Sequence, residues 1–255
     1  MMLSDMQEDI RKVETWSDQN HMALHPQKSK FMMVTTRQKR QNISSLKKIK
    51  IYDTDIEEVN SHKVLGLSID NNLSWTVHIS ALIRKLSKKV FQLNRIKHLV
   101  DQHTRKLFFH AYLQPDFDYA STVWDKASKK CLKPLESMYR RSIKLILLKS
   151  SSVLDKDYKT LNILPLHLRC KFNKAVFLYK IVNGLAPSYL SEKLHTVRVR
   201  GKDRIILPRP RTDLYMTSLT YSGGGLWNDI PDPIKLKLTL ASFKASYNAF
   251  LLNQL

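Results

Sequence analysis

Few residues of this chain stand in patterns that could do chemistry. Clustered carboxylates can hold divalent cations for nucleotidyl transfer, and the nearest approaches are Asp53/Asp55, Glu57/Glu58 and Asp116/Asp118. Acids spaced in this way serve as turn residues, caps or surface charges. No catalytic carboxylate and no metal site is therefore expected. His98, His103 and His110 are spaced by five and seven, which does not place three ligands on one helical face. Cys131 and Cys170 have no partner at metal-ligand spacing and read as buried helix residues of a reduced, intracellular protein. Ser222-Gly223-Gly224-Gly225 lacks the Gly-Lys-Ser/Thr ending of a phosphate loop and reads as a flexible turn. What remains is the basic side chains.

The densest of these lie in one stretch, HKVLGLSIDNNLSWTVHISALIRKLSKKVFQLNRIKHLV, from His62 to Val100. Arg84, Lys85, Lys88, Lys89, Arg95 and Lys97 fall there, and no acid occurs between Asp70 and Asp101. Such a segment lacks the i,i+4 ion pairs that quiet a helix surface, so its counter-charge is expected in a partner, most simply a phosphate backbone. A second basic face is expected at Arg140, Arg141 and Lys144, among Lys129, Lys130 and Lys133. A third basic stretch holds Arg198, Arg200, Lys202, Arg204, Arg209 and Arg211. Charge runs are commonly solvated faces. Several of them together shift the reading to sequence-independent phosphate contact, with strong salt dependence.

The elements that must position these cations follow from periodicity. Trp75, Ile79, Leu82, Ile83, Leu86, Val90 and Leu93 recur at three and four, predicting a long helix. Before it, Val64 to Ile69 reads as a strand with a glycine inside, and Asp70 to Asn72 as a turn. Leu3 to His21 is predicted helical, capped by Ser4, with Leu3, Met6, Ile10, Val13 and Trp16 inward. Phe31 to Val34 and Ile49 to Tyr52 read as strands, the latter opening a hairpin near Asp53. With Val64 to Ile69 they form one small sheet. Asp101 caps a helix with Leu107, Phe108, Ala111 and Tyr112 inward, and Pro115 ends it or starts the next segment. Helices follow over Lys129 to Leu148 and Leu166 to Val182, the latter stopped by Asn183-Gly184. Thr196 to Tyr215 reads as an extended crossover or arm. Thr239 opens a last helix with Leu240, Phe243, Tyr247 and Leu251 inward.

The 255 residues, 43% apolar, can fill one large core or two modest ones. Lys plus Arg number 43 against 22 acids, a net charge of +21 spread along the chain. That balance favours nucleic acid as partner, with an anionic membrane second. No apolar run approaches the roughly 18 residues of a membrane span, the start lacks a signal-peptide pattern, and no membrane partner is expected.

VLGLSIDNNLSWTVHISALIRKLSK resembles the segment that follows the catalytic core in reverse transcriptases of non-LTR (LINE-like) retrotransposons. There an "LG" hairpin, the primer grip, leads into the first thumb helix. LHPQKSKFMMV resembles the family's Asn-Pro-x-Lys-Thr block, with His25 for Asn and Ser29 for Thr. YLQPDFDYASTVWDKAS is similar to its P-x-x-x-Y-x-x-x-x-W segment. LNILPLHLRCKFNKAVFLYKIVNGLAPSYL resembles L-x-x-L-P-L-x-x-R-R, with Cys170 at the second Arg. YSGGGLWNDIPDPIKLKLTLASFKASYNAFL is similar to the closing G-x-x-x-W-N-x-L-P and F-K blocks.

The resemblance implies a mainly α chain in three parts. Residues 1–73 form a small α+β palm remnant, 74–195 a helical thumb, and 196–255 a basic crossover arm with a C-terminal helical extension. It implies a role for Lys28 near nucleotide phosphates and for Leu65, Gly66 and Leu67 as primer grip. The partner would be an RNA–DNA primer–template duplex. The family's Tyr-x-Asp-Asp loop, which holds Mg²⁺ in the intact enzyme, has no counterpart here. The expectation is a fragment lacking fingers and most of the palm, probed by itself without cofactor and without catalysis, to which a separate chain carrying the palm could bind. The rival expectation is an inert or domesticated fragment acting as a protein-interaction module.

Overall fold

Asp70 shows how this chain starts its longest helix. Its carboxylate accepts from the Asn72 and Ser74 backbone N–H groups at 3.1 and 3.0 Å, and from Trp75 N–H at 3.0 Å. Three donors of the entry turn are thereby satisfied by one buried acid. The computed structural model describes residues 2–35, 49–199 and 202–255. It is about 60% helical with few short strands, a mainly α fold with a small α+β portion. Two compact units divide it, Met1–His78 and Ile79–Leu255.

In the first unit, α1 (Met2–Gln19) precedes β1 (Lys30–Phe31), β2 (Lys50–Ile51), β3 (Thr54–Asp55), β4 (Glu57–Glu58), β5 (Ser61–Val64) and β6 (Leu67–Asp70). These strands form separate two-stranded ladders, β1 with β4 in parallel, β2 with β3 and β5 with β6 antiparallel. The single sheet expected from the sequence is not formed. Nor is Val64 to Ile69 one strand: Leu65 and Gly66, at φ 48° and 84°, turn the chain between β5 and β6. Two successive positive φ values are the signature of the tight hairpin turn whose twist suits antiparallel strands. The glycine marks a reversal, where a bulge was expected.

The core of this unit is small: Ile49, Ile51 and Ile56, with Ile10, Leu24 and Phe31 against them. The helix begins at Met2, ahead of the expected cap at Ser4. Of the predicted apolar stripe Ile10 packs on this core, whereas Met6, Val13 and Trp16 are exposed. Polar groups add to the docking of the helix. Gln7 exchanges hydrogen bonds with the backbone of Lys50, and Glu14 and Asp18 accept from the N–H and hydroxyl of Tyr52. The side chain of Leu3 lies outside the described residues.

The helix α2 (Thr76–Ile96) begins in the last residues of the first unit, and in the second it buries Ile79, Leu82, Leu86, Val90 and Leu93, as its period predicts. Each contributes on the order of 2 kcal/mol by leaving water. Next come α3 (Gln102–Phe108), a π-helical turn (Phe109–Leu113) and α4 (Gln114–Asp118). Pro115 starts the next segment, the second of the two expectations, in the first turn of α4. Having no N–H, it sits where the ladder widens, and the Gln114 N–H reaches back to Phe109. The inward row is Arg105, Phe109, Leu113 and Phe117. The expected inward residues Leu107, Ala111 and Tyr112 are exposed.

The remaining helices are α5 (Ser121–Trp124), α6 (Lys129–Leu147), α7 (Asp155–Leu161), α8 (Leu166–Val182) and α9 (Ser188–Ser191). Tyr139 of α6 is wedged between Phe109 and Phe117 at 5.4 and 4.8 Å, edge to face, and its hydroxyl donates to the Leu164 carbonyl at 2.8 Å. The α8 helix takes the predicted bounds, with Gly184 at φ 68° just past its end.

Thr196 to Tyr215 was expected to be an extended arm. It holds a hairpin, β7 (Thr196–Val199) with β8 (Lys202–Ile205), whose joining positions 200 and 201 lie outside the described residues. Ile205 is buried in the main core. Asn228 extends the ladder, accepting from Ile205 N–H and donating to its carbonyl, both at 2.9 Å. The end of the chain forms α10 (Asp213–Met216), a π turn (Leu219–Gly223), α11 (Gly224–Asp229), α12 (Asp232–Lys235) and α13 (Leu240–Asn253), the last capped by Thr239 as expected. The glycine run is helical, where a flexible turn was expected. A Cβ on Gly224 would meet Leu207 at 2.8 Å and Ile205 at 3.0 Å, so glycine is what lets β8 approach. Tyr179, Trp227, Phe243 and Tyr247 stack in the adjoining core.

Candidate nucleic-acid interface

The basic residues singled out from the sequence do not form one surface. Lys85 and Lys89 of α2 both reach Asp116 of α4 at 2.8 Å. Lys89 also lies 4.0 Å from the centre of the Tyr112 ring and donates to the Tyr112 carbonyl at 2.7 Å. Burial raises the Asp116 pKa, and the two lysines outweigh it, holding the carboxyl below its ordinary range. The expectation that this helix finds its counter-charge only in a partner is therefore corrected for Lys85 and Lys89. The acid comes from a helix 31 residues away in sequence for Lys85, which spacing along α2 could not reveal. Arg84 and Lys88 are exposed and form no ion pair among the described residues. Arg95 is exposed and lies over the Phe91 ring at 5.9 Å.

The other cations meet at a junction the sequence did not show. Arg105 is buried in α3, 6% exposed, and forms no ion pair among the described residues. Its guanidinium donates to the Ile146 carbonyl at 2.9 Å, the Lys97 carbonyl at 2.7 Å and the Val100 carbonyl. These carbonyls lie at the C-terminal ends of α6 and α2, where unpaired C=O groups concentrate negative charge. One buried cation thus joins two helix ends. The α6 end is sealed further by Leu148 in the left-handed region, φ 51°, and by the Lys149 N–H on the Lys144 carbonyl at 3.0 Å.

Lys97, His98, Arg141, Lys144 and Lys149 line a cleft of about 310 Å³ at this junction. A neighbouring cleft of about 360 Å³ is lined by Arg140, Arg141, Lys144 and Ser152. Neither lining contains a carboxylate. Lys149 is already neutralised by Asp157 at 2.6 Å. The Leu154 N–H and Lys149 keep Asp157 below the ordinary carboxylate range. Lys97, Arg141 and Lys144 have no ion-pair partner among the described residues, the Lys144 ammonium donating to the Ser150 carbonyl at 3.3 Å, whereas Arg140 bonds to Tyr158 and lines a further cleft with Glu136 and Asp155. Arrays of cations without acids repel one another and favour a bound anion.

The first unit holds the other expected site residues. Lys28 ends a short 3-10 turn and is exposed, whereas Lys30 is ion-paired to Glu57 across the β1–β4 ladder. Leu65, at the tip of the β5–β6 hairpin, is 86% exposed, and Gly66 and Leu67 follow it around the turn. In the third basic stretch Arg200 and the side chains of Arg198 and Lys202 lie outside the described residues.

The candidate acids Asp116 and Asp118 do not fit a Mg²⁺ site. Asp118 accepts two bonds from Arg169, at 2.8 and 2.6 Å, and one from Asn173 at 2.9 Å. Asp116 is held by its two lysines. Carboxylates neutralised in this way have no charge left for a cation. No group of three metal-ligating side chains occurs among the described residues. Sequence reasoning missed Arg105 and Asp116 because both act across helices; the phase of Arg105 with Phe109, Leu113 and Phe117 was the available signal.

Comparison with known protein families, characterised proteins and solved structures gives no match to this chain.

Proposed function

We propose that this chain binds nucleic acid through phosphate contacts, as the thumb-side part of a reverse transcriptase of the non-LTR retrotransposon kind holds a primer–template duplex. The observation that carries the reading is the meeting of Lys97, Arg141 and Lys144 at a carboxylate-free cleft fixed by Arg105. Arg84 and Lys88 add an exposed basic face on α2. The resemblance of the VLGLSIDNNLSW, PDFDYASTVW and LPLHLRC segments to that family supports the same reading. The chain's part is to hold the backbone, with no chemical step of its own. Leu65 to Leu67 would act as the primer grip and Lys28 near phosphates. The test is anisotropy of a labelled RNA–DNA duplex with the full chain and with Arg84→Glu/Lys88→Glu. The reading expects the double change to weaken binding by about ten-fold; undiminished binding overturns the role of that face.

Exposed Met6, Val13 and Trp16 on α1 favour a second reading, a protein-interaction module. Under that reading the same titration shows no binding of the duplex.

A further inference from the structure

We infer that Ser152 is a phosphorylation site whose phosphate folds back onto Arg141 and Lys144 and closes the basic junction to nucleic acid. The inference rests on the reading above and adds a means of switching that binding off.

The loop between α6 and α7 is open to a kinase. Ser151 and Ser152 are exposed and, with Val153, lie outside both helices. No backbone or side-chain group of these three residues takes part in a hydrogen bond among the described residues. A kinase takes its substrate as an extended segment, so nothing has to unfold first. Asp155 follows Ser152 by three residues, the spacing that acid-directed serine kinases read. Of the other serines in the two basic clefts, Ser137 lies within α6, and Ser150 has Val153 at that position. In the transfer the Ser152 hydroxyl oxygen bonds the γ-phosphorus of a nucleoside triphosphate. The bond to the bridging oxygen breaks, the nucleoside diphosphate leaves, and the hydroxyl proton passes to the kinase's base.

The same loop is held against the cations. One oxygen of Asp157 accepts from the Lys149 ammonium at 2.6 Å and from the Leu154 N–H at 2.7 Å, so a single atom fastens both ends. Between them Lys144 reaches across from α6 to the Ser150 carbonyl at 3.3 Å. Two residues of chain span at most about 7 Å, which keeps Ser152 near that ammonium. Ser137, Arg140, Arg141 and Lys144 share one face of α6 and line the cleft of about 360 Å³, with Ser152 and Val153 supplying the rest of its lining.

Phosphate on Ser152 adds close to two negative charges and three acceptor oxygens, which form charge-assisted hydrogen bonds with an Arg–Lys pair. It then takes the place that a nucleic-acid phosphate would take. Arg141 and Lys144 line the cleft of about 310 Å³ as well, so one modification neutralises the wall the two clefts share.

The experiment uses the full chain in three forms: unmodified, with phosphoserine incorporated at position 152, and with phosphoserine at position 191, which lines neither cleft. Phosphorus NMR follows the second ionisation of each phosphate, and anisotropy of the labelled RNA–DNA duplex follows binding. Contact with the two cations favours the dianion. The midpoint at 152 is therefore expected below the ordinary value of about 6, returning to it in Arg141→Gln/Lys144→Gln. Phosphoserine at 152 should weaken the duplex about ten-fold, and at 191 less than about two-fold. An acid-directed serine kinase should place phosphate on Ser152, mapped by mass spectrometry, with a lower yield in Asp155→Asn. An ordinary midpoint at 152, equal losses from the two phosphoserines, or no phosphate on Ser152 would each overturn the inference and leave the nucleic-acid reading standing. Failure of the unmodified chain to bind the duplex overturns that reading and the switch together.

Discussion

The Arg105 guanidinium donates to the Ile146 carbonyl across 41 residues of sequence, and the same side chain holds the Lys97 carbonyl. A charged donor shared between two helix ends is worth more than a neutral hydrogen bond. Arg105→Met should therefore destabilise the chain by about 3 kcal/mol. Arg105→Lys should recover only part, because one ammonium lacks the planar fork that reaches several acceptors. Urea unfolding of the three proteins checks this; equal stability of Arg105→Met and wild type would refute the clamp.

Asp116 separates structural from binding lysines. Its pKa is lowered in the fold, so its contribution to stability is present above the ordinary carboxylate range and is lost as pH falls through that range toward the depressed value. Asp116→Asn should remove this part of the acid-side loss of stability. It should also release Lys85 and Lys89, raising nucleic-acid affinity, whereas Lys85→Gln/Lys89→Gln should change affinity less than about two-fold. Thermal melts across acidic pH, with binding at neutral pH, measure both.

Leu65 occupies the left-handed region at φ 48° with its side chain 86% exposed. A branched apolar residue there costs about 1 kcal/mol that asparagine largely avoids. Leu65→Asn should stabilise the chain by about that amount, and if the hairpin tip serves as a grip, should weaken duplex binding. A melt and a titration on one variant read both effects. An unchanged melting temperature would show that the tip is not strained.

Burial pushes the Cys170 thiol up to about 12. Only the thiolate reacts quickly, so in the native chain a thiol reagent should modify Cys131 and spare Cys170. Cys170 should become reactive only on unfolding. Two equally fast thiols in native buffer would contradict the packing around α8.

The long helices were legible because their apolar period is continuous. The α8 bounds and the Thr239 cap follow from local residues alone. The failures have one cause each. The buried row runs at spacings of four through Arg105, Phe109, Leu113 and Phe117, and reading by apolar type chose Leu107 and Tyr112 over the charged Arg105 that shares this phase. On α1, polar bonds from Gln7, Glu14 and Asp18 to the β2–β3 hairpin join Ile10 in docking one face and leave the rest of the apolar stripe outside. For the interface, composition correctly marks the cations but not their partners. Asp116 neutralises two of them from another helix, and Lys97 meets Arg141 only because the chain folds back through Arg105.

The claim that unpaired cations at the α2–α6 junction hold phosphates is tested most directly by the salt dependence of binding. Equilibrium affinity for the RNA–DNA duplex would be measured across a salt series for wild type and for Arg141→Gln/Lys144→Gln. The account predicts a linear fall of log affinity with log salt, with a slope shallower by about 1.8 in the variant, roughly 0.9 for each duplex phosphate contact removed. A flat line, or the same slope in both proteins, would contradict it.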